Sequence, residues 1–203
     1  QKVKIKLDLM RKLIGSKKIN IAVFISGTGS NFNNLIKNSL KKNSKFKINL
    51  VISNKSNAKG LNYANKHKIK KKIISYQNIR NAEKNILFIL KKNRIDLICL
   101  AGFMKILTNN FIKRFKGKIL NIHPSLLPKY KGLNTHQRAI NNNEKFTGCT
   151  VHYVNYKLDS GKIILQKKVR IFRNDSSQKL AKRVLKQEHL LYPKALKKVL
   201  INL

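Results

Sequence analysis

The sequence predicts an α/β fold: a doubly wound, mostly parallel sheet in a single domain. Three observations carry that reading. Through the first half of the chain, apolar runs of strand length alternate with helical patterns, joined by short links. One of those runs, Asp96–Ala101, is apolar after its first residue, as a strand covered by helices on both faces should be. Finally, 203 residues with 42% hydrophobic content suffice for one sizeable core but not for two large ones.

The first strand, Ile19–Ile25, runs into Ser26-Gly27-Thr28-Gly29-Ser30-Asn31 and a helix from Asn31 to about Asn43. A second strand at Phe46–Ile52 is followed by a helix around Ala58–His67. Lys72–Ser75 reads as a weaker third strand before a helix near Asn81–Asn93. After the fourth strand, a short helix near Asn109–Phe115 leads to a strand at Ile119–His123. Crossovers between parallel strands are expected to be right-handed. The second half differs. Pro124 to Thr135 is a loop carrying two of the three prolines, followed by a helix near His136–Asn142. Cys149–Val154 and Ile163–Phe172 read as an antiparallel pair joined through Leu158-Asp159-Ser160-Gly161. Ser177–Leu191 is a long amphipathic helix that Tyr192-Pro193 should interrupt before it resumes to the end. Residues 1–18 form a basic N-terminal extension.

The charge is lopsided: 46 Lys+Arg against 7 Asp+Glu, a formal net charge of +39. With 38 Lys, 25 Asn and 25 Ile, all encoded by AT-rich codons, drift in composition explains this better than a polyanion partner does. The lysines are scattered, whereas a nucleic-acid binder concentrates its cations on one face with interleaved aromatics. The hydrophobic share excludes a disordered polycation. No apolar run reaches the ~18 residues of a membrane helix, and the N-terminus lacks a secretory apolar segment. Two cysteines are too few for a disulfide framework. The expectation is a cytoplasmic monomer or homodimer with no membrane or specific nucleic-acid partner.

Four constellations could carry chemistry. In the loop Ser26–Asn31, glycines let the backbone approach a ligand, and amides at a helix start attract phosphate. No Gly-Lys-Ser/Thr follows, and Phe32 stands where a dinucleotide fingerprint has its third glycine, so one phosphate group fits better than a pyrophosphate. The plainer alternative is a tight turn with Ser30 or Asn31 as helix cap. Asn121 and His123 lie two apart on a strand and share a face, and Pro124 keeps His123 extended at the strand's carboxyl end. An amide beside an imidazole suits a reaction that develops an oxyanion and protonates a leaving group; the plainer alternative is loop capping. A metal site is disfavoured, since no second ligand follows at the usual spacing. Asp159 reads alone as part of a turn, although a carboxylate beside an imidazole stabilises its protonated form. Gln187-Glu188-His189 reads alone as a solvated helix face. His67, His136 and His152 are read as structural or exposed, and Cys99 and Cys149 as packing residues.

Together the segments at 25–31, 52–55, 100–107, 121–136, 158–161 and 187–193 resemble the phosphoribosylglycinamide formyltransferases. Asn-Ile-His-Pro-Ser-Leu-Leu-Pro marks the wider folate-dependent formyltransferase superfamily, and Gly-Thr-Gly-Ser-Asn with Gln-Glu-His narrows it. The resemblance, from about Ile19 to Pro193, implies a Rossmann-like formyltransferase domain over 19–203. Its first half would hold the ribonucleotide phosphate and its second half the folate and catalytic groups. It implies transfer of the formyl group of 10-formyltetrahydrofolate to the amine of 5-phosphoribosylglycinamide in de novo purine biosynthesis, without a metal. His123 would be the general acid, Asn121 would steady the oxyanion, and Asp159 would tune His123. Gly29, Ser30, Asn31 and Glu188 match ribonucleotide positions. Arg80, Met104, Lys105, Ile106, Leu107 and Asn121 match folate positions, and Asn155, Tyr156, Lys157, Leu158 and Asp159 match a loop over the pterin.

Lys105 stands where many members carry Arg, and Leu203 ends the chain where many continue. Formyltetrahydrofolate hydrolase shares the Asn/His/Asp chemistry with water as acceptor. It usually carries an N-terminal regulatory domain, for which 18 residues leave no room. Methionyl-tRNA formyltransferase usually needs a C-terminal nucleic-acid-binding domain. A basic nucleic-acid-binding α/β protein is the reading from another class. The positive charge would also favour an anionic substrate and a polyglutamylated folate.

Overall fold

Residues 18–201 are described by a computed structural model; all but the last residue of the basic extension lies outside them. The elements are β1 (Ile19–Ile25), α1 (Ser30–Ser39), β2 (Phe46–Ser53), α2 (Leu61–Lys66), β3 (Lys70–Ile73), α3 (Ile79–Lys92) and β4 (Leu97–Leu100). They continue with α4 (Asn109–Arg114), β5 (Lys118–His123), α5 (Thr135–Asn141), β6 (Phe146–Tyr153), β7 (Ile163–Arg170) and α6 (Ser177–Ile201). The strands form one sheet in the order β3-β2-β1-β4-β5-β6-β7. The first five are parallel, and β6 and β7 add antiparallel partners.

Alternation along β1 divides the core. Ile21, Val23 and Ile25 pack with Phe32 and Leu35 of α1 and Leu180, Val184 and Leu196 of α6. Ala22 and Phe24 pack on the other face with Ile86 and Leu90 of α3 and Phe111 of α4. Helices therefore cover both faces, as the apolar strands require. The strand order reverses between β1 and β4, so the loops leaving their carboxyl ends diverge and open a crevice there.

Element bounds shift by up to three residues in α2, β6 and β7, and three further differences have a physical reason. The third strand begins at Lys70 rather than Lys72, because at the sheet edge all four residues are exposed and lysines serve as well as apolar residues. Helix α1 stops at Ser39, after which Leu40 is exposed and no further apolar residue extends its buried face. Helix α6 is not interrupted: it runs from Ser177 to Ile201 with Pro193 buried inside it. Proline removes the amide that would bond the carbonyl of His189. The Asn34 side-chain amide of α1 donates to that carbonyl instead. The neighbouring Tyr192, fully buried, donates its hydroxyl between the carbonyls of Leu100 (3.0 Å) and Leu120 (3.2 Å). One helix turn is thus pinned to β4, β5 and α1 at once.

Asn34→Ala should therefore cost about 1–3 kcal/mol in urea unfolding, the range for a stranded acceptor. In a Pro193→Ala background, where an N–H is restored, the same substitution should cost clearly less. Equal costs in both backgrounds would mean that Asn34 does not replace the missing helix bond.

Candidate active site

A cleft of about 880 Å³ opens at the carboxyl ends of β1, β4 and β5. The loop from Ser26 to Asn31 lines one part of it. Gly29 is the N-cap of α1, in the left-handed region at φ 70°, and no side chain caps the helix. The amides of its first turn therefore remain available to an anion. Neither Ser30 nor Asn31 takes the capping role. A Cβ on Gly29 would come within 2.6 Å of the Gly60 Cα, so glycine is required there by backbone crowding as well as by φ. At Gly27 an added Cβ would meet nothing within 4 Å.

Glu188 belongs to this end of the cleft, not to a solvated helix face: it is buried, and Asn31 Nδ2 donates to its Oε2 at 2.6 Å. Burial raises its carboxyl above the usual range, and the Asn31 hydrogen bond partly opposes that. The Oδ1 of Asn31 is buried without a partner. A residue from each half of the chain thus meets at this end of the cleft.

The structure brings Asn121, His123 and Asp159 together. Asp159 sits in the left-handed region at φ 44° and its carboxylate is 8% exposed. Its Oδ2 lies 3.3 Å from His123 Nδ1 and accepts from the Gly132 amide at 2.9 Å, while its Oδ1 is 3.4 Å from Asn121 Nδ2. His123 Nε2 is 2.8 Å from the Tyr130 carbonyl, which can only accept, so Nε2 carries a hydrogen in either charge state of the ring.

His152 joins this cluster, a role that the sequence reading did not assign. It stands opposite Asn121 in the β5–β6 register. Its Nδ1 faces its own strand's Tyr153 carbonyl at 2.8 Å and must donate to it, which leaves Nε2 as an acceptor for Asn121 Nδ2 at 3.2 Å. Burial lowers its pKa, consistent with a neutral ring that orients the Asn121 amide. Its 3.7 Å separation from Asp159 Oδ1 is then a proximity, not an ion pair. Antiparallel pairing of the fifth strand with the sixth was the signal that would have revealed it.

The cleft's other wall comes from Met104, Lys105, Ile106 and Leu107 and from Asn155, Tyr156, Lys157 and Leu158. Met104, Ile106, Tyr156 and Leu158 are each more than half exposed, an apolar rim suited to a flat aromatic ligand. The Met104 amide donates to Ser26 Oγ at 2.8 Å, tying this wall to the glycine loop. Arg80 does not join them: it is exposed at the start of α3, outside the cleft lining. His136 lines the cleft with a buried, unpartnered Nδ1 and, chiefly through burial, a lowered pKa. Cys99 and Cys149 are buried, and burial pushes both thiols up to about 12, so neither is a nucleophile. Among the described residues, no group of three or more His, Cys, Asp or Glu is arranged to hold a metal ion, and no helix is long and apolar enough to cross a membrane.

Comparison with known proteins agrees with this architecture. Residues 19–196 match the family described as formyl transferase. The chain is 47% identical over 180 residues to phosphoribosylglycinamide formyltransferase of Haemophilus influenzae, covering 87% of this chain and 85% of that protein. It is 44% identical over 186 residues to the human trifunctional purine biosynthetic protein adenosine-3; this covers 90% of the chain but only 18% of that much longer protein. The other trifunctional relatives are likewise spanned over a fifth of their length or less. Among solved structures, phosphoribosylglycinamide formyltransferase of Brucella melitensis superposes with a TM-score of 0.86 at 42% identity, over 91% of this chain and 96% of that one. The enzyme of Anaplasma phagocytophilum gives 0.86 at 40%, over 92% and 88%. With the family model matched over 178 of its 203 residues and a relative 47% identical along most of both chains, the chain belongs to the formyl transferase family.

Proposed function

We propose that this chain transfers the formyl group of 10-formyltetrahydrofolate to the amine of 5-phosphoribosylglycinamide, giving formylglycinamide ribonucleotide and tetrahydrofolate. The observation that carries the reading is the Asp159-bridged pair Asn121 and His123 in the same cleft as the uncapped start of α1.

The first turn of α1, with Gly29, Ser30 and Asn31, receives the substrate phosphate, and Glu188 accepts from the ribose hydroxyls. Met104–Leu107 and Asn155–Leu158 hold the folate, with Arg80 on its outer side. As the amine attacks the formyl carbon, Asn121 Nδ2 turns its weaker 3.4 Å contact from Asp159 to the developing oxyanion. His123 then gives its proton to the departing folate nitrogen, and the C–N bond to the folate breaks. The proton shed by the attacking amine replaces the one that His123 gives up, so the transfer consumes no net acid or base. Asp159 keeps the imidazole oriented throughout.

The direct test mixes the protein with both substrates and follows the donor's absorbance. A change that requires the ribonucleotide supports the reading, and a change that proceeds equally without it means hydrolysis. In that assay His123→Ala and Asp159→Asn should each lower kcat on the order of 10²–10⁴-fold while thermal melting stays cooperative. Near-normal turnover in either folded variant would remove the assigned roles.

Glu188→Gln separates binding from stability. In the folded chain its carboxyl is raised, so the ionised form opposes folding at neutral pH, and this penalty vanishes once pH falls below the ordinary carboxyl value. The amide variant should therefore unfold at higher temperature than wild type near neutral pH, lose that advantage in acid, and show a raised KM for the ribonucleotide alone. A raised KM for the folate instead would mean that the subsites are reversed.

A further inference from the structure

We propose that Arg138, an exposed side chain outside the reacting cluster, is a positioning residue. It holds the segment 130–133 so that one of its carbonyls fixes His123 and one of its amides fixes Asp159. The proposal rests on the function inferred above and deepens it.

Two members of the cluster are gripped by the same stretch of backbone. The Tyr130 carbonyl accepts from His123 Nε2 at 2.8 Å, and two residues later the Gly132 amide donates to Asp159 Oδ2 at 2.9 Å. The relative placement of acid and carboxylate therefore depends on this segment's conformation. That conformation is a costly one. Tyr130 at φ 54°, Gly132 at φ 78° and Asn134 at φ 56° all lie in the left-handed region, which a bulky residue such as Tyr rarely adopts. Backbone of this kind persists where surrounding groups hold it.

Arg138, on α5, supplies three contacts of that hold. Its Nη1 donates to the Lys131 carbonyl at 2.7 Å and lies 3.3 Å from the Leu133 carbonyl, one on each side of Gly132. Its guanidinium also stands 5.3 Å from the centre of the Tyr130 ring. The same ring is anchored at its far end, where the hydroxyl donates to Glu144 Oε1 at 2.9 Å and accepts from Asn142 Nδ2 at 3.0 Å. A planar, charged fork can bond two carbonyls and cover a ring at once, which a lysine ammonium cannot.

The arrangement also assigns the two nitrogens of His123. Nε2 is committed to a carbonyl and keeps its hydrogen in either charge state. Nδ1, 3.3 Å from Asp159 Oδ2, is the nitrogen that exchanges a proton with the substrate. When the segment loosens, that division between the nitrogens loosens with it.

The test uses the full chain with Arg138→Ala, Arg138→Lys and Tyr130→Phe, the last removing only a hydroxyl in case the alanine variant does not fold. Arg138→Ala should lower kcat on the order of tenfold, as expected when an acid is slightly misplaced rather than lost, with KM for both substrates within about twofold. Arg138→Lys should recover part of the rate, and Tyr130→Phe should fall between wild type and Arg138→Ala. A second readout does not need turnover: long-range ¹H–¹⁵N spectra of the neutral His123 ring. Wild type should show the hydrogen on Nε2, and Arg138→Ala a mixture of tautomers. A folded Arg138→Ala with wild-type kcat, a change in KM alone, or a wild-type ring with its hydrogen on Nδ1 would each overturn the proposal. If the wild type transfers no formyl group yet the tautomer shifts as described, the functional reading fails and the positioning role stands.

Discussion

One carboxylate organises the site. Asp159 presents two oxygens to groups from three segments: the Asn121 amide and the Gly132 N–H, which donate to it, and His123 Nδ1, which donates when the ring is protonated. Each contact orients the carboxylate, which the left-handed backbone at φ 44° brings against β5.

The sheet beneath gives those groups a rigid base. Tyr192 is fully buried, and its hydroxyl lies between the carbonyls of Leu100, at the end of β4, and Leu120, one residue before Asn121. Its neighbour Pro193 frees a carbonyl that Asn34 of α1 takes up. Helix α6 is therefore bound on one side to β4 and to β5, which carries Asn121 and His123, and on the other to the helix whose first turn faces the cleft. Glu188 and Asn31 repeat the same α1–α6 connection at the cleft itself. There the buried carboxylate works against stability, a burden consistent with a side chain kept for a ligand.

Much of this was legible in the sequence because the signals are local. Strand periodicity in Ile19–Ile25, the glycine loop and the same-face spacing of Asn121 and His123 all act over a few residues, and the structure keeps them. What escaped the sequence depends on residues distant in the chain. Pro193 reads as a helix break unless Asn34 is known to supply the missing donor. His152 reads as an ordinary strand histidine until antiparallel pairing sets it opposite Asn121. The need for glycine at position 29 comes partly from Gly60, whose backbone crosses it. The edge strand at Lys70–Ile73 carries no apolar pattern because nothing covers it.

The central claim is that this cleft passes a formyl group directly from a folate donor to an amine. The most direct measurement follows the formyl carbon itself, with ¹³C-formyl donor, unlabelled glycinamide ribonucleotide and the purified chain observed by NMR. The account predicts that the label moves from the donor resonance to the amide of the ribonucleotide product in equal amount, with no labelled formate. Label that accumulates as formate, or that stays on the donor while both substrates are bound, would contradict it.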